Sequence, residues 1–154
     1  MNKAFVKGAD EESVDDLPDR LISPHPNLVT PEGLAAIEAE MARWDAARDA
    51  ALAADDKDAL ARAHREQRYW AARRTSAHVT EPPADAAEVH FGAKVTIARK
   101  DGRRQTFRIV GEDEAEPSKG TISHVSPLAL SLLGKAVGDT AEAGDATVEI
   151  VAIA

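Results

Sequence analysis

The sequence predicts an α+β fold, with an antiparallel helical hairpin leading into a small antiparallel sheet domain that carries one short helix. Three observations support this. Two stretches of helical spacing flank an acidic break, Ala53-Ala54-Asp55-Asp56-Lys57-Asp58; the proline-rich run Glu81-Pro82-Pro83-Ala84-Asp85 stops the second of them. From Val89 onward, apolar residues alternate with polar ones between turn signals. The expected organisation is a flexible acidic tail at 1–26, a helical hairpin arm at 27–80, a linker at 81–87 and a sheet domain at 88–154.

The tail contains Asp10-Glu11-Glu12 and Asp15-Asp16 and ends in Ser23-Pro24-His25-Pro26. With few apolar groups to offset its ordering entropy, it is expected to be mobile or loosely docked. The first helix starts at Thr30 as N-cap, with Pro31 at the first helical position and Glu32 at the positive end of the dipole. Leu34, Ile37, Met41 and Trp44 form its apolar seam. A second, basic helix is expected over 57–77, with Leu60, Ala63, Gln67, Trp70 and Ala71 on one side and Arg62, Arg65, Arg68, Arg73 and Arg74 elsewhere. Its charge suits pairing with acids of the first helix, giving a hairpin roughly 30 to 35 Å long at 1.5 Å per residue.

In the sheet domain, 89–97 and 105–110 read as strands joined by a turn at Lys100-Asp101-Gly102-Arg103. A further short strand is expected at 121–125 and a closing one at 147–153. Between them Ser126-Pro127 starts a helix with Leu128, Leu132 and Leu133 on its apolar face, and Gly134 ends it.

Bulk composition narrows the function classes. Aromatic residues are only 4% of a 154-residue chain, so large core side chains are scarce for one compact globule and a small domain plus an arm is the better reading. There are no cysteines, which excludes disulfides and thiolate metal sites. The five histidines, at 25, 64, 78, 90 and 124, lack paired metal spacing. A net charge of −8 opposes direct attraction to nucleic acid or anionic membrane, so any action near nucleic acid is expected to be indirect. No stretch has the length of a membrane span or the pattern of a signal peptide, and a cytoplasmic protein is expected. There is neither a phosphate-binding glycine loop nor a nucleophile elbow.

Two groups of motifs carry a family resemblance. One is Asn27-Leu28-Val29-Thr30-Pro31-Glu32-Gly33-Leu34. The other comprises Val89-His90-Phe91-Gly92, Phe107-Arg108-Ile109-Val110-Gly111-Glu112-Asp113-Glu114-Ala115, Ile122-Ser123-His124-Val125-Ser126-Pro127 and Leu133-Gly134-Lys135-Ala136-Val137-Gly138-Asp139. Together they resemble the bacterial GreA/GreB transcript-cleavage factor family over residues 27–154. The resemblance implies an FKBP-like sheet domain docking at the rim of the secondary channel of bacterial RNA polymerase, and a coiled coil entering that channel. It also implies a monomeric accessory factor rather than an enzyme, with nucleic acid met only inside the elongation complex.

In such factors, acids at the coil tip help hold a Mg2+ ion of the polymerase and orient the water that cuts backtracked RNA. No cofactor intrinsic to this chain is implied. Here the tip signature, similar to Gly-Asp-x-x-Glu-Asn-x-x-Tyr, is absent between Ala46 and Tyr69. The arm is also short by roughly two turns per helix, on the order of 10 Å of reach. Asp55, Asp56 and Asp58 are the replacement tip candidates, although aspartates there also suit capping of the second helix. The departures point to weak or lost cleavage, as in short-armed relatives such as the regulator of nucleoside diphosphate kinase.

Ser123, Ser126, Pro127, Gly134 and Lys135 match the part of the family expected at the polymerase rim. Independently of any partner, Ser126 and Pro127 are also a good helix start. Glu112, Asp113, Glu114 and Glu116 read as an acidic turn, because the pattern of a calcium loop is missing. An isomerase activity of the FKBP kind would need an aromatic-lined pocket, for which the domain offers only Phe91 and Phe107. A third possibility is a binding module that uses the hairpin to engage some other protein, for example as a kinase regulator.

Overall fold

The computed structural model describes residues 17–154, so most of the expected acidic tail lies outside the described residues. The chain divides into two units. Among the described residues, one holds 17–24 and Ala36–Ser76, and the other holds His25–Ala35 and Ala77–Ala154. Residues 27–35 and 77–80, which the sequence assigns to the arm, and 25–26 of the expected tail are therefore grouped with the sheet.

The first unit is a helical hairpin. Helix α1 (Pro31–Ala53) contributes its residues from Ala36 onward, and helix α2 (Lys57–Ser76) returns. Glu38 accepts a hydrogen bond from Arg74 Nε at 3.1 Å and Asp45 accepts one from Gln67 Nε2 at 2.7 Å. Both pairs are symmetric about residue 56, as an antiparallel pair turning at 54–56 requires. Ile37, Ala51, Ala61 and Ala63 are buried, whereas Met41, Trp44 and Trp70 are only half-buried. The seam is thus built largely of alanine. Its 20-residue return helix spans about 30 Å, the expected length.

Arg68, which sequence pattern assigns to the exposed basic face of the second helix, bonds Asp19 and the Leu17 carbonyl of the amino-terminal segment.

The second unit holds a two-stranded parallel sheet and a five-stranded sheet. Strand β1 (Leu28–Val29) pairs with β2 (His78–Val79) just outside the two helix ends. The larger sheet contains β3 (Lys94–Ala98), β4 (Arg104–Val110), β5 (Thr121–Ser123), β6 (Thr140–Ala143) and β7 (Ala146–Ile153), in the order β5-β4-β3-β7-β6. Helix α3 (Pro127–Leu132) follows β5. Val95, Ile97, Ile109, Ile122, Leu132 and Ile150 are among the residues forming its core. In β3 the alternation is clean, with Val95 and Ile97 fully buried and Lys94 exposed.

Three features depart from the sequence pattern. First, β3 begins at Lys94 rather than at 89, because Gly92 adopts a left-handed conformation with φ +87° and turns the chain after Phe91. Val89, Phe91 and Ala93 are buried nonetheless, so the alternation there reports burial ahead of the strand, where the Val89 backbone bonds to Gly134 and Lys135 rather than to the sheet strands. Second, the sheet is not wholly antiparallel: β4 and β5 run parallel, from Arg108↔Thr121 to Val110↔Ser123. A parallel pair needs a crossover. Residues 111–120, with a short 3-10 turn at Pro117–Lys119, supply it. Third, β6 carries no strand signal in Thr-Ala-Glu-Ala and is imposed by its hairpin with β7 across Gly144-Asp145.

The tip turn is held by its own backbone and one aspartate. Asp55 has φ +52°, and Asp56 Oδ1 accepts from the Ala59 amide at 3.1 Å, which makes Asp56 the cap of α2. Replacing Asp56 by Ala should therefore cost about 1 kcal/mol, read as a lower urea midpoint with loss of helical circular dichroism. The Asp55→Ala and Asp58→Ala variants should cost less.

Candidate functional site

Three places in the chain merit consideration: the hairpin tip, the loop and helix after β5, and the acidic crossover after β4. At the tip, Asp55, Asp56 and Asp58 are all exposed. Asp56 is engaged with the Ala59 amide, and its own amide donates to the Ala51 carbonyl at 3.0 Å. Among the described residues, no three His, Asp or Glu side chains are arranged to hold a metal ion. The tip is three carboxylates around a tight turn, one of which is occupied as a helix cap.

The second place lies at the end of β5. Ser123 Oγ accepts from the Val125 amide at 3.2 Å, and the Ser126 amide donates to the Ser123 carbonyl at 2.9 Å. Ser126 Oγ then accepts from Ala129 N at 3.3 Å, which caps α3 with Pro127 at its first position. His124 is buried, with its ring edge-on to Phe91 at 5.4 Å between centroids. The helix turns Ala129 and Leu132 inward and leaves Pro127 and Leu130 outside, with Leu130 63% exposed. Three residues apart on a helix, these two share one face.

Gly134 donates to the Val89 carbonyl at 2.9 Å, and the Lys135 carbonyl accepts from Val89 N at 2.8 Å. Lys135 Nζ reaches the Thr140 carbonyl at 2.7 Å. Of the expected rim residues, Gly134 and Lys135 therefore serve to tie loops within the unit. Ser123 and Ser126 stiffen the turn, and Pro127 stands on the exposed face. Val137, 57% exposed, adds an apolar side chain in the loop beyond.

The third place was read from sequence as an acidic turn, and its tertiary partner was missed. Glu114 folds back against the start of α1, where its Oε2 accepts from the Thr30 amide at 2.9 Å and from the Gly111 amide at 3.1 Å. Its Oε1 accepts from the Thr30 hydroxyl, and Thr30 Oγ1 in turn accepts from Gly33 N at 3.0 Å, as the N-cap expected from sequence. The fit leaves no room for side chains at two glycines. A Cβ on Gly33 would lie 2.1 Å from Glu114 Oε2, and one on Gly111 would lie 2.4 Å from the Leu28 carbonyl oxygen. The available signal was the pairing of Thr30-Pro31-Glu32-Gly33 with Gly111-Glu112-Asp113-Glu114, two motifs that meet here.

Beside this joint, Arg108 Nη2 donates to Glu32 Oε2 at 3.2 Å. Glu32 is held below the usual carboxylate range by the free backbone amide at the helix start, then by the Thr30 side chain and by the Arg108 charge.

Comparisons with known proteins place this domain. The family model described as Transcription elongation factor, GreA/GreB, C-term matches residues 84–154. A transcription elongation factor GreA of Hyphomonas neptunium is 54% identical over 57 residues, which are 36% of this chain and 36% of that protein. A GreA of Solidesulfovibrio magneticus is 50% identical over 72 residues, 44% of each chain. A GreB of Pseudomonas aeruginosa is 49% identical over 57 residues, 37% of this chain and 34% of its own. The matches to these relatives thus span less than half of their length. The crystal structure of GreA factor homolog 1 (Gfh1) of Thermus thermophilus aligns with 84% of this chain and 99% of its own, at 19% identity and a TM-score of 0.42.

Two tests address the joint. Glycine inside a helix costs about 1 kcal/mol relative to alanine, so Gly33→Ala would stabilise an ordinary helix. Here it should destabilise by roughly 1–3 kcal/mol, because Glu114 must abandon its bonds to make room. In a Glu114→Ala background the same change should become neutral or favourable. Gly111→Ala meets backbone instead and should stay destabilising in both backgrounds.

The second test is pH dependence. Because the folded Glu32 carboxyl titrates below its unfolded value, its contribution is fully present above the ordinary carboxylate range and disappears as pH falls through the folded value. Urea midpoints measured between about pH 6 and about pH 2 should fall less steeply for Glu32→Gln than for the parent chain.

Proposed function

We propose that the chain is an accessory transcription elongation factor, on the basis that residues 84–154 match the family model of the GreA/GreB carboxyl-terminal domain. In this reading it binds bacterial RNA polymerase at the secondary channel, acts in the cytoplasm as a monomer and modulates elongation without catalysing a reaction itself. The observation that carries the proposal is the family match over the domain that presents the exposed Pro127 and Leu130 face. An apolar, pre-stiffened helix start on a rigid sheet is a suitable docking element, since no ordering cost remains to be met on binding. Ser123 and Ser126 hold it in shape, while Gly134 and Lys135 fix the adjoining loop.

Transcript cleavage is the part of the family's chemistry that this chain supports least. A carboxylate must meet a magnesium ion directly at about 2 Å or through one water. The hairpin turns after 23 helical residues in α1, and Asp56 is already a cap, which leaves Asp55 and Asp58 as acids without such a task. Any Mg2+ involved belongs to the polymerase. The chain then acts as a short-armed modulator, comparable with the regulator of nucleoside diphosphate kinase.

The full chain should co-purify with core RNA polymerase, and absence of a complex would refute the reading. Leu130→Asp should weaken that complex at least about tenfold, as for a buried interface anchor, with an unchanged unfolding midpoint. On backtracked complexes, the parent chain should leave RNA shortening near background. Strong stimulation that disappears in Asp55→Ala or Asp58→Ala would instead place the chain among active cleavage factors.

A further inference from the structure

The net charge of −8 conceals a strong segregation of charge in the second unit. Of the eight Lys and Arg residues between 77 and 154, six fall within 94–108: Lys94, Arg99, Lys100, Arg103, Arg104 and Arg108. Of the twelve Asp and Glu residues in the same stretch, that segment holds one, Asp101. It comprises β3, the turn after it and most of β4, so the cations gather on one two-stranded ribbon.

Register sets where they stand. Val95 and Ile97 share the core with Ala129 and Leu132 of α3, so the alternate positions Lys94, Thr96 and Ala98 form the opposite face of β3. Across the ladder they pair with Arg108, Thr106 and Arg104. Lys94, Arg104 and Thr106 are exposed, and the centre of the face is small and polar, with the Thr96 and Thr106 hydroxyls 2.8 Å apart. Arg104 and Arg108 lie roughly 14 Å apart along their strand, and the turn carries Lys100 beyond them. Arg108 meets Glu32, Arg103 meets Asp101 at 2.7 Å, and Arg99 donates to the Gln105 amide oxygen at 2.7 Å. Among the described residues, no ion pair or side-chain hydrogen bond engages Lys94, Lys100 or Arg104. Glu149 of β7, opposite Ala98, bounds the face on the far side.

Two ordinary reasons for basic residues in a sheet fail here. Lysines often protect an edge strand, but β3 and β4 are interior strands. Opposite charges across a ladder stabilise it, whereas Lys94 stands directly opposite Arg108. The face also carries no aromatic anchor, and protein interfaces are enriched in aromatic residues and depleted of lysine. An open, cationic, hydroxyl-bearing surface is complementary instead to a polyanion with closely and regularly spaced charges. Double-stranded nucleic acid carries one charge per about 1.7 Å of axis, and arginine, lysine and threonine are among the side chains that bond its phosphate oxygens. The acids elsewhere in the chain weaken this little at contact, because salt at about 0.1 M screens charges over about 10 Å.

We propose that the β3–β4 ribbon is a sequence-independent binding surface for the phosphate backbone of double-stranded nucleic acid, with Lys94, Lys100 and Arg104 as its contacting groups. This goes beyond polymerase binding, because it gives the chain a direct contact with nucleic acid that its net charge disfavours at long range. The test contains no polymerase, so its failure leaves the reading above untouched.

The experiment follows the fluorescence anisotropy of a labelled duplex of roughly 20 base pairs titrated with the full chain. At about 50 mM salt a dissociation constant on the order of 10 to 100 µM is expected, as for non-specific binding. Three phosphate contacts give a salt slope of about −2.7, or about 40-fold weaker binding at about 200 mM salt. Lys94→Ala, Lys100→Ala and Arg104→Ala should each reduce the slope by about one, while Lys119→Ala, outside the ribbon, should leave it unchanged. Lys94→Ala should do so without lowering the urea midpoint, since it relieves the opposition to Arg108.

Absence of binding at about 50 mM salt, or a slope unmoved by the three ribbon substitutions, would overturn the proposal. So would equal binding of a polyglutamate peptide of matching charge, which would make the ribbon a surface for acidic protein segments. Tighter binding to vesicles of anionic phospholipid than to the duplex would also overturn it, in favour of a membrane surface.

Discussion

One carboxylate, that of Glu114, holds together the two parts of the sequence with the most distinctive motifs. It accepts from the amide and hydroxyl of Thr30, 84 positions earlier in the chain, and from the amide of Gly111. The first amides of a helix have no partners of their own and carry partial positive charge, so an ionised carboxylate is well matched to them. The closeness of the fit explains why glycine stands at 33, inside a helix where it is otherwise unfavourable, and at 111 against the Leu28 carbonyl. The same fold-back shapes the crossover from β4 to β5, which allows those strands to run parallel.

The acidic character of the chain takes on a definite structural meaning in this light. Asp56 accepts from Ala59 N, Asp101 from Arg103 N, Asp139 from Ala136 N, and Glu114 from Gly111 and Thr30. In each case a carboxylate satisfies a backbone amide that a turn or helix start leaves free. Asp101 is held below the usual carboxylate range for this reason, by the Arg103 amide first and its guanidinium next. Part of the negative charge therefore secures turns.

The two units are stabilised in different ways. The sheet unit buries branched side chains from β3, β4, β5 and β7 against Leu132 and Ala129 of α3, so its rigidity comes from apolar packing. The hairpin relies on alanines at its seam, which allow close approach but bury little area per residue. Polar pairs such as Glu38 with Arg74 and Asp45 with Gln67 fix its register instead.

Much of this was legible in the sequence. Thr30-Pro31 and Ser126-Pro127 marked both helix starts, because capping is a local affair of one side chain and the amides just after it. The acidic break at 53–58 located the hairpin turn, and the branched residues of β3, β4 and β7 identified most of the sheet. Where local pattern was silent or ambiguous, long-range contact decided. Burial of Val89 and Phe91 imitated a strand that Gly92 interrupts, and Thr140–Ala143 became a strand only because β7 offered an edge to pair with. The acidic run at 112–116 carried no local sign of its partner. What sequence alone determined was every feature whose cause lies within a few residues; what tertiary structure decided was which distant group fills each vacancy, since a free amide or an open strand edge does not record in sequence what will satisfy it.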